Sequence, residues 1–323
     1  MLPPTIAEIK EAKKLLSGIA NTTPLIKTRS VYPDFAQVFI KSEINQKTRS
    51  FKFRGAYNKI NSLNKNEKKA GVTAYSSGNH GQAVACVANL MNIDAVIVMP
   101  NDAPKIKLLA TKSFGAEIIT YDRSSESRED IARTISKKRG MTIIPPFDDP
   151  MIIAGQGTIG LEISEELTSK HLQPDVLAVP ASGGGLASGC AIAIKDQFPD
   201  CRIFCVEPEN FNDISRSLVS GRKCTNSTDK EYSICDALLN PTSGEITFPI
   251  MQKFIERGLT VSDNAVREAM KIAWETEQIM LEPSGAAALA ALTSGVIPSS
   301  NVAVIVCSGG NVDKQTFQDA IKS

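Results

Sequence analysis

The amino-acid sequence predicts an α/β fold, in which parallel strands are covered by helices on both faces. Short apolar runs alternate along the chain with helical stretches, the order expected of strands joined by crossover helices. The runs, such as residues 302–307, are continuously apolar, which is typical of strands buried on both faces. With 323 residues, of which 42% are hydrophobic, the chain is long enough for about two domains and a sizeable core.

The individual elements follow from these runs. Strands are predicted at 38–41, 72–75, 95–99, 117–121, 141–144, 176–180, 203–206, 259–261 and 302–307. Helices are predicted between several of them, at about 81–91, 103–114, 125–138 and 154–168. Pro145-Pro146 and the stretch 64–69 are candidate crossing points between domains. Because ligands in such folds bind beyond the carboxyl ends of the strands, we expect functional residues directly after them.

Composition and charge exclude several classes of protein. Lys plus Arg number 36 and Asp plus Glu 35, and a net charge of +1 argues against a nucleic-acid binder. The apolar runs are far shorter than the ~20 residues of a membrane-spanning helix, and the first residues lack the pattern of a signal peptide. Seven cysteines without a Cys-x-x-Cys pair indicate free thiols in a reducing compartment. We therefore expect a cytoplasmic protein that binds neither nucleic acid nor membrane.

The first of four clusters that could carry chemistry is Ser-Phe-Lys-Phe-Arg-Gly at residues 50–55. Lys52 stands between Phe51 and Phe53. Packing against aromatic rings would remove water from the amine and lower its pKa, which favours a nucleophilic lysine. Taken alone, the segment is more typical of an amphipathic strand or helix start with a solvated lysine.

Two further clusters place small residues at the turn from a strand to a helix. Ser-Ser-Gly-Asn-His-Gly follows strand 72–75, and Ser-Gly-Gly-Gly-Leu-Ala-Ser-Gly follows strand 176–180. Backbone N–H groups at such turns bind carboxylate or phosphate, although each cluster also suits an ordinary helix cap or glycine turn. The glycine cluster lacks the spacing of a dinucleotide fingerprint and of a nucleotide P-loop. It therefore favours a phosphate-bearing cofactor other than NAD or ATP.

The fourth cluster, Ser-Gly-Gly-Asn at 308–311, follows the last predicted strand and alone suits a simple turn. All four clusters lie after or beside strands. A chance origin is therefore much less credible for the four together than for any single cluster. Together they resemble the fold-type II pyridoxal-phosphate enzymes, in particular the serine racemase and serine/threonine dehydratase family. The resemblance runs from about Pro24 to Asp313 and includes the segments 99–104, 154–157 and 206–208.

The resemblance implies a tryptophan-synthase-β-like fold with two parallel-type twisted sheets covered by helices. A small domain, residues 68–150, would be inserted into a large domain made of residues 1–67 and 151–323. The cofactor would lie between the two domains. The resemblance also implies a homodimer.

Site residues are implied in the same way. Lys52 would bond covalently to pyridoxal 5'-phosphate, Asn79 would bond the ring hydroxyl, and Ser308 would face the pyridine nitrogen. The loop 182–186 would hold the phosphate. The full cofactor-binding set is Phe51, Lys52, Asn79, Ser182, Gly183, Gly184, Gly185, Leu186 and Ser308. The loop that holds the substrate carboxylate comprises Ser76, Ser77, Asn79 and His80.

The implied activity is the dehydration of a small-molecule hydroxy amino acid, L-threonine or L-serine, to a 2-oxo acid and ammonia. Lys52 would remove the α-proton. A neutral Ser308 stabilises a pyridinium less than a carboxylate would, so the long-lived carbanion of transamination is disfavoured and elimination fits better. Racemisation of serine needs a proton donor on the opposite face, and the family's donor corresponds to Ser77.

A divalent cation is also implied by the resemblance. Glu207, Asp213 and the backbone carbonyl of Phe211 match the family's cation ligands. Oxygen ligands of this kind suit Mg²⁺ or Ca²⁺. The same carboxylates would also be explained as an acidic cluster at a helix N-terminus.

Departures from the family leave other activities open. Ser182 replaces a usual glycine, Arg49 lies near the glycine often found before the Phe-Lys pair, and the segments 211–217 and 234–238 differ from animal racemases. Serine racemisation is the nearest alternative. Threo-3-hydroxyaspartate dehydration is the next, and it would need a further cation that the sequence does not place. A β-replacement synthase and a non-catalytic amino-acid-binding protein on the same fold are the remaining alternatives.

Overall fold

The computed structural model describes residues 1–76, 78–227 and 232–322. The strands of this part are β1 (Leu25–Lys27), β2 (Phe35–Ser42), β3 (Val72–Tyr75), β4 (Ala95–Pro100), β5 (Glu117–Tyr121), β6 (Thr142–Ile143), β7 (Val176–Pro180), β8 (Arg202–Pro208), β9 (Arg257–Val261) and β10 (Ser300–Cys307). Its helices are α1 (Ile6–Leu16), α2 (Lys52–Asn61), α3 (Lys65–Ala70), α4 (Asn79–Leu90), α5 (Lys105–Ser113), α6 (Arg128–Arg139), α7 (Pro150–Ser169), α8 (Gly185–Gln197), α9 (Asp213–Ser220), α10 (Thr247–Phe254), α11 (Asp263–Glu277), α12 (Pro283–Thr293) and α13 (Lys314–Lys322).

The described strands form two sheets, and the predicted α/β class is confirmed. The six-stranded sheet has the order β1-β2-β10-β7-β8-β9, and the four-stranded sheet has the order β5-β4-β3-β6. Every pairing is parallel except that of β1, which runs antiparallel to β2 at the edge, so the larger sheet is mixed. The four-stranded sheet lies between Val72 and Ile143, and the domain boundaries at 68 and 150 stay a prediction.

The helix predicted at 154–168 begins earlier, at Pro150. The side chain of Asp149 accepts hydrogen bonds from the backbone N–H groups of Met151 and Ile152, at 2.8 and 3.2 Å. This cap, with proline at the first helical position, fixes the start of α7. Although α7 has 20 residues, neither it nor any other helix of the described segments is long and apolar enough to cross a membrane.

Four charged side chains form a buried ion cluster beneath α2. Arg54 pairs with Glu43 at 2.9 Å and with Glu162 of α7 at 2.5 Å, while Lys41 of β2 pairs with Glu162 at 2.6 Å. Burial alone would lower the pKa of Arg54, but the two carboxylates raise it on balance. Burial opposes ionisation of Glu162, yet Arg54 and Lys41 hold its pKa below the ordinary value. The cluster balances two cations with two carboxylates and fixes α2 against β2 and α7.

Helices α2 and α7 also approach closely through glycine. A Cβ added at Gly155 would lie 2.6 Å from the Cα of Gly55 and 2.7 Å from the carbonyl oxygen of Arg54. The N–H of Gly55 donates to the side chain of Gln156 at 3.2 Å. The glycine contact therefore holds α7 directly against the helix that begins with Lys52.

We expect Gly155→Ala to lower the free energy of unfolding by ~1–3 kcal/mol, because the added methyl group would push the two backbones apart. The matched control is Thr168→Ala, at an exposed position of the same helix, where a change within ~0.5 kcal/mol is expected. Urea unfolding measures both. Equal stability of Gly155→Ala and the wild type would contradict the close approach.

Candidate active site

Lys52 is the first residue of α2 and lines a cavity with the 182–186 loop and Ser308. Its Nζ donates to the carbonyl of Pro146 at 2.8 Å and lies 5.0 Å from the ring centroid of Phe51. Burial lowers the pKa of Lys52 to about 8. Of the two flanking phenylalanines, Phe51 contacts the amine, whereas Phe53 is buried in the core, with its ring centroid 6.0 Å from that of Tyr57. The amine is thus poorly hydrated and readily neutral.

The glycine loop joins β7 to α8 at the carboxyl edge of the six-stranded sheet. The first N–H groups of a helix have no intrahelical partner, so the start of α8 presents donors and a positive dipole end to the cavity. Gly184 adopts a φ of 91°, which favours glycine, and a Cβ at Gly183 would meet the ring of Phe147 at 2.2 Å. The hydroxyl of Ser182 accepts from Asn240 N at 3.2 Å and keeps its own hydrogen to donate. This cradle fits a phosphate group.

Asn79 and Ser308 also line this cavity. The side chain of Asn79 donates to Glu282 Oε1 at 2.6 Å and accepts from Asn311 at 2.9 Å. An amide nitrogen carries two hydrogens, so among the described residues one N–H of Asn79 is left for a ligand. Ser308 is buried directly after β10, and its carbonyl accepts from the N–H of Phe51 at 3.1 Å. These positions suit a flat polar ring.

The predicted substrate loop follows the carboxyl end of β3, which lies between β4 and β6 in the four-stranded sheet. The hydroxyl of Ser76 accepts from Gly78 N at 3.0 Å. The ring of His80 is hydrogen-bonded through Nε2 to the carbonyl of Ile144 at 2.9 Å, so this nitrogen carries the hydrogen. Burial, with the charge of Lys52, lowers the pKa of His80 to about 3, so the ring is neutral. Ser77 lies outside the described residues.

Arg128 borders the mouth of the site and was not singled out from the sequence. It lines a cavity with Lys52, Ser76, Gly78, Asn79, His80 and Asn240. Its guanidinium lies 5.4 Å from the ring centroid of Tyr75 and donates to the side chains of Asn240 at 3.2 Å and Glu129 at 2.8 Å. Two of its five N–H donors are therefore used by these partners. The sequence carries no signal for it, because Arg128 stands in a run of charged residues, Arg128-Glu129-Asp130, that is typical of a solvated helix start.

The three predicted cation ligands lie near one another at the end of β8. Both Glu207 oxygens accept backbone N–H groups of α9, at 3.0 and 2.7 Å, and Asp213 Oδ1 accepts from Asn226 at 2.8 Å. The other Asp213 oxygen is buried without a hydrogen-bond partner. Burial raises the pKa of Glu207 well above its usual range, with the charge of Asp213 adding to it, and burial raises that of Asp213 to about 7. Among the residues described, neither carboxylate forms an ion pair, and the pair fits a divalent cation.

Comparisons with known proteins give the family of the chain. The chain matches the family described as "Pyridoxal-phosphate dependent enzyme" over residues 16–309. It is 41% identical over 318 residues to L-threo-3-hydroxyaspartate ammonia-lyase of Pseudomonas sp., covering 98% of both chains. It is 40% identical over 316 residues to serine racemase of Schizosaccharomyces pombe, covering 97% of this chain and 96% of the relative. The structure of maize serine racemase superposes with a TM-score of 0.91 at 35% identity, over 99% and 97% of the two chains.

The lowered pKa of Lys52 predicts how the rate of its condensation with pyridoxal phosphate depends on pH. Only the neutral amine attacks an aldehyde, so the rate for the apoprotein should rise with pH and level off above about 8. Rapid-mixing absorbance measures it, with a free lysine derivative as the control. A rate that keeps climbing to the ordinary lysine pKa of 10.5 would contradict the desolvated site.

The carboxylate pair predicts cation-dependent stability. After chelation, adding Mg²⁺ or Ca²⁺ should raise the melting temperature of the wild type, more at pH 8 than at pH 6, because ligand carboxylates must be ionised to bind. Asp213→Asn should lose this gain, while the exposed control Asp94→Asn should keep it. Equal gains in both variants would place the cation elsewhere.

Proposed function

Because the chain belongs to the pyridoxal-phosphate dependent enzyme family, we propose that it is an ammonia-lyase whose preferred hydroxy amino acid is L-threo-3-hydroxyaspartate. The observation that carries this proposal is that one cavity holds both Lys52 and Arg128. The first supplies an amine whose pKa of about 8 gives a larger neutral fraction near physiological pH than an ordinary lysine has. The second supplies a cation for a carboxylate on the β-carbon. L-Serine and L-threonine are then slower substrates of the same elimination.

The chemistry divides between the cofactor and the protein. Pyridoxal phosphate supplies an electron sink for the negative charge that develops at the substrate's α-carbon. Lys52 takes the α-proton when its amine is free, and a pKa of about 8 suits a base that works near neutral pH. His80 stays neutral because its pKa is about 3, so it does not compete for that proton.

The groups around Lys52 would bind and orient the cofactor and the substrate. The N-terminus of α8 and the hydroxyl of Ser182 would bind the phosphate, which is a dianion that the helix dipole favours. Asn79 would offer its remaining N–H to the ring hydroxyl, and Ser308 would face the ring nitrogen as a neutral partner. Ser76 and the backbone beside it hold the α-carboxylate. Glu207 and Asp213, with the carbonyl of Phe211, would hold a divalent cation that neutralises two buried carboxylates beside the phosphate loop.

Arg128 changes which of the candidate substrates is favoured. From sequence alone, threo-3-hydroxyaspartate follows threonine or serine dehydration and serine racemisation, because its second carboxylate needs a cation that the sequence does not place. Arg128 would provide that cation. Glu129 and Asn240 occupy only two of its N–H groups, so a carboxylate can still bind. The methyl group of threonine or the hydrogen of serine gains nothing from a guanidinium at this place.

Serine racemisation is the second candidate, favoured by the similarity to serine racemases. Its proton donor would be Ser77, for which there is no structural observation, so this role stays a prediction. The homodimer and the cytoplasmic location also stay predictions.

Arg128→Met should lower kcat/KM for L-threo-3-hydroxyaspartate roughly 10- to 100-fold, because a charged hydrogen bond contributes ~1.5–3 kcal/mol. For L-serine we expect a change within about twofold, because its side chain does not reach a charge partner. Formation of 2-oxo acid is measured for each substrate, together with the chirality of the remaining serine.

The matched control is Arg133→Met, which removes an exposed arginine from the same helix, and Lys52→Ala is the inactive blank. Equal losses for both substrates would show that Arg128 is not a specificity residue. Dominant formation of D-serine from L-serine would favour the racemase instead.

A further inference from the structure

Lys107 forms a buried ion pair that joins elements of the two sheets. It lies on α5, the helix that connects β4 to β5 along the chain, and its side chain is only 2% exposed. Its Nζ lies 2.6 Å from Asp236 Oδ2 and 2.9 Å from Glu282 Oε2. Glu282 directly precedes α12, which packs on the six-stranded sheet. The Lys107 ammonium therefore links α5, a helix beside the four-stranded sheet, to two carboxylates on segments that pack on the six-stranded sheet.

The aliphatic stem of Lys107 also contacts the predicted substrate loop. A Cβ added at Gly78 would lie 2.2 Å from Lys107 Cδ, so the lysine fills the space that this glycine leaves. Gly78 has an extended φ of 176°, and it is therefore space rather than backbone strain that requires glycine there. The position of Lys107 and that of the loop depend on each other.

Glu282 continues the connection toward the cofactor cavity. Its Oε1 accepts the Asn79 side-chain N–H at 2.6 Å, and Asn311 donates to the oxygen of the same amide at 2.9 Å. An ionised carboxylate can only accept, so it selects the amide nitrogen of Asn79 and not its oxygen. The amide is thereby held in one of its two orientations, with its second N–H left for the cavity.

The ionised state of Glu282 needs a cation, because the carboxylate is only 1% exposed. Burial raises its pKa, the charge of Asp236 raises it further, and Lys107 opposes both. Lys107 is the only basic side chain of the described segments within ion-pair distance of Glu282. Without it, the buried carboxylate would gain a proton and become a donor as well as an acceptor, and Asn311 alone would then select the orientation of Asn79.

We propose that Lys107 is a positioning residue, which acts through Glu282 to hold the Asn79 amide in the orientation that hydrogen-bonds the cofactor's ring hydroxyl. The proposal rests on the assignment of Asn79 under the proposed function. It gives this lysine a role in the electronic state of the bound cofactor and not only in holding the two sheets together.

Lys107→Met in the holoenzyme tests the role directly. We expect the ratio of the absorbance bands of bound pyridoxal phosphate to change, since the ring hydroxyl loses its fixed donor, and kcat to fall roughly tenfold. Lys105→Met, which removes an exposed lysine from the same helix, should keep the wild-type spectrum and rate. A wild-type spectrum in Lys107→Met, with only the melting temperature lowered, would reduce Lys107 to a structural link and overturn the proposal.

A double-mutant cycle identifies the route. Glu282→Gln removes the charge through which Lys107 acts and should change the band ratio in the same direction. Adding Lys107→Met to Glu282→Gln should then change kcat by less than about twofold, because the two residues act as one unit. Effects that multiply would overturn the proposed route.

Glu282→Gln also serves if Lys107→Met alone does not fold, because an unchanged spectrum in Glu282→Gln contradicts the proposal by itself. A wild type without a cofactor band would contradict the proposed function instead. A coloured wild type with an unchanged Lys107→Met spectrum contradicts only the role of Lys107.

Discussion

The buried ion cluster of Lys41, Glu43, Arg54 and Glu162 is the constraint on which the site depends. Four charges out of water are tolerable only when each has a close partner, so the elements that carry them have little freedom to move. Lys52 begins the helix that Arg54 anchors, two residues further along the chain. The position of the reactive amine is therefore set by charge pairing and by the glycine contact behind it, while its low pKa comes from burial.

The remaining parts of the site come from strand ends on both sheets. The glycine loop and Ser308 follow adjacent parallel strands of the larger sheet, and Ser76 and the start of α4 follow β3 of the smaller one. A ligand between them would meet the N-terminus of α8 and the hydrogen-bonded amide of Asn79. Arg128 of α6 lines the cavity, and Lys107 of α5 contacts Gly78 and Glu282 beside it, so the sheets must keep their relative position for the site to be complete.

The sequence predicted the parts of the site whose chemistry is local. Lys52, the glycine loop and most strands were identified because a few neighbouring residues carry the signal. The short edge strand β1 was missed, since its three residues show no clear pattern of burial. Lys107 and Arg128 were missed because their partners are distant in the chain: Asp236 lies 129 residues from Lys107, and Asn240 lies 112 residues from Arg128. Only the folded chain brings such pairs together.

The central claim is that Lys52, in its desolvated pocket, is the residue that carries the cofactor. The most direct measurement is borohydride reduction of the purified protein followed by peptide mass mapping. We predict that the peptide containing Lys52 gains the mass of the reduced cofactor and that no other lysine peptide does. An unmodified Lys52 peptide, or modification at another buried lysine such as Lys41 or Lys107, would contradict the account.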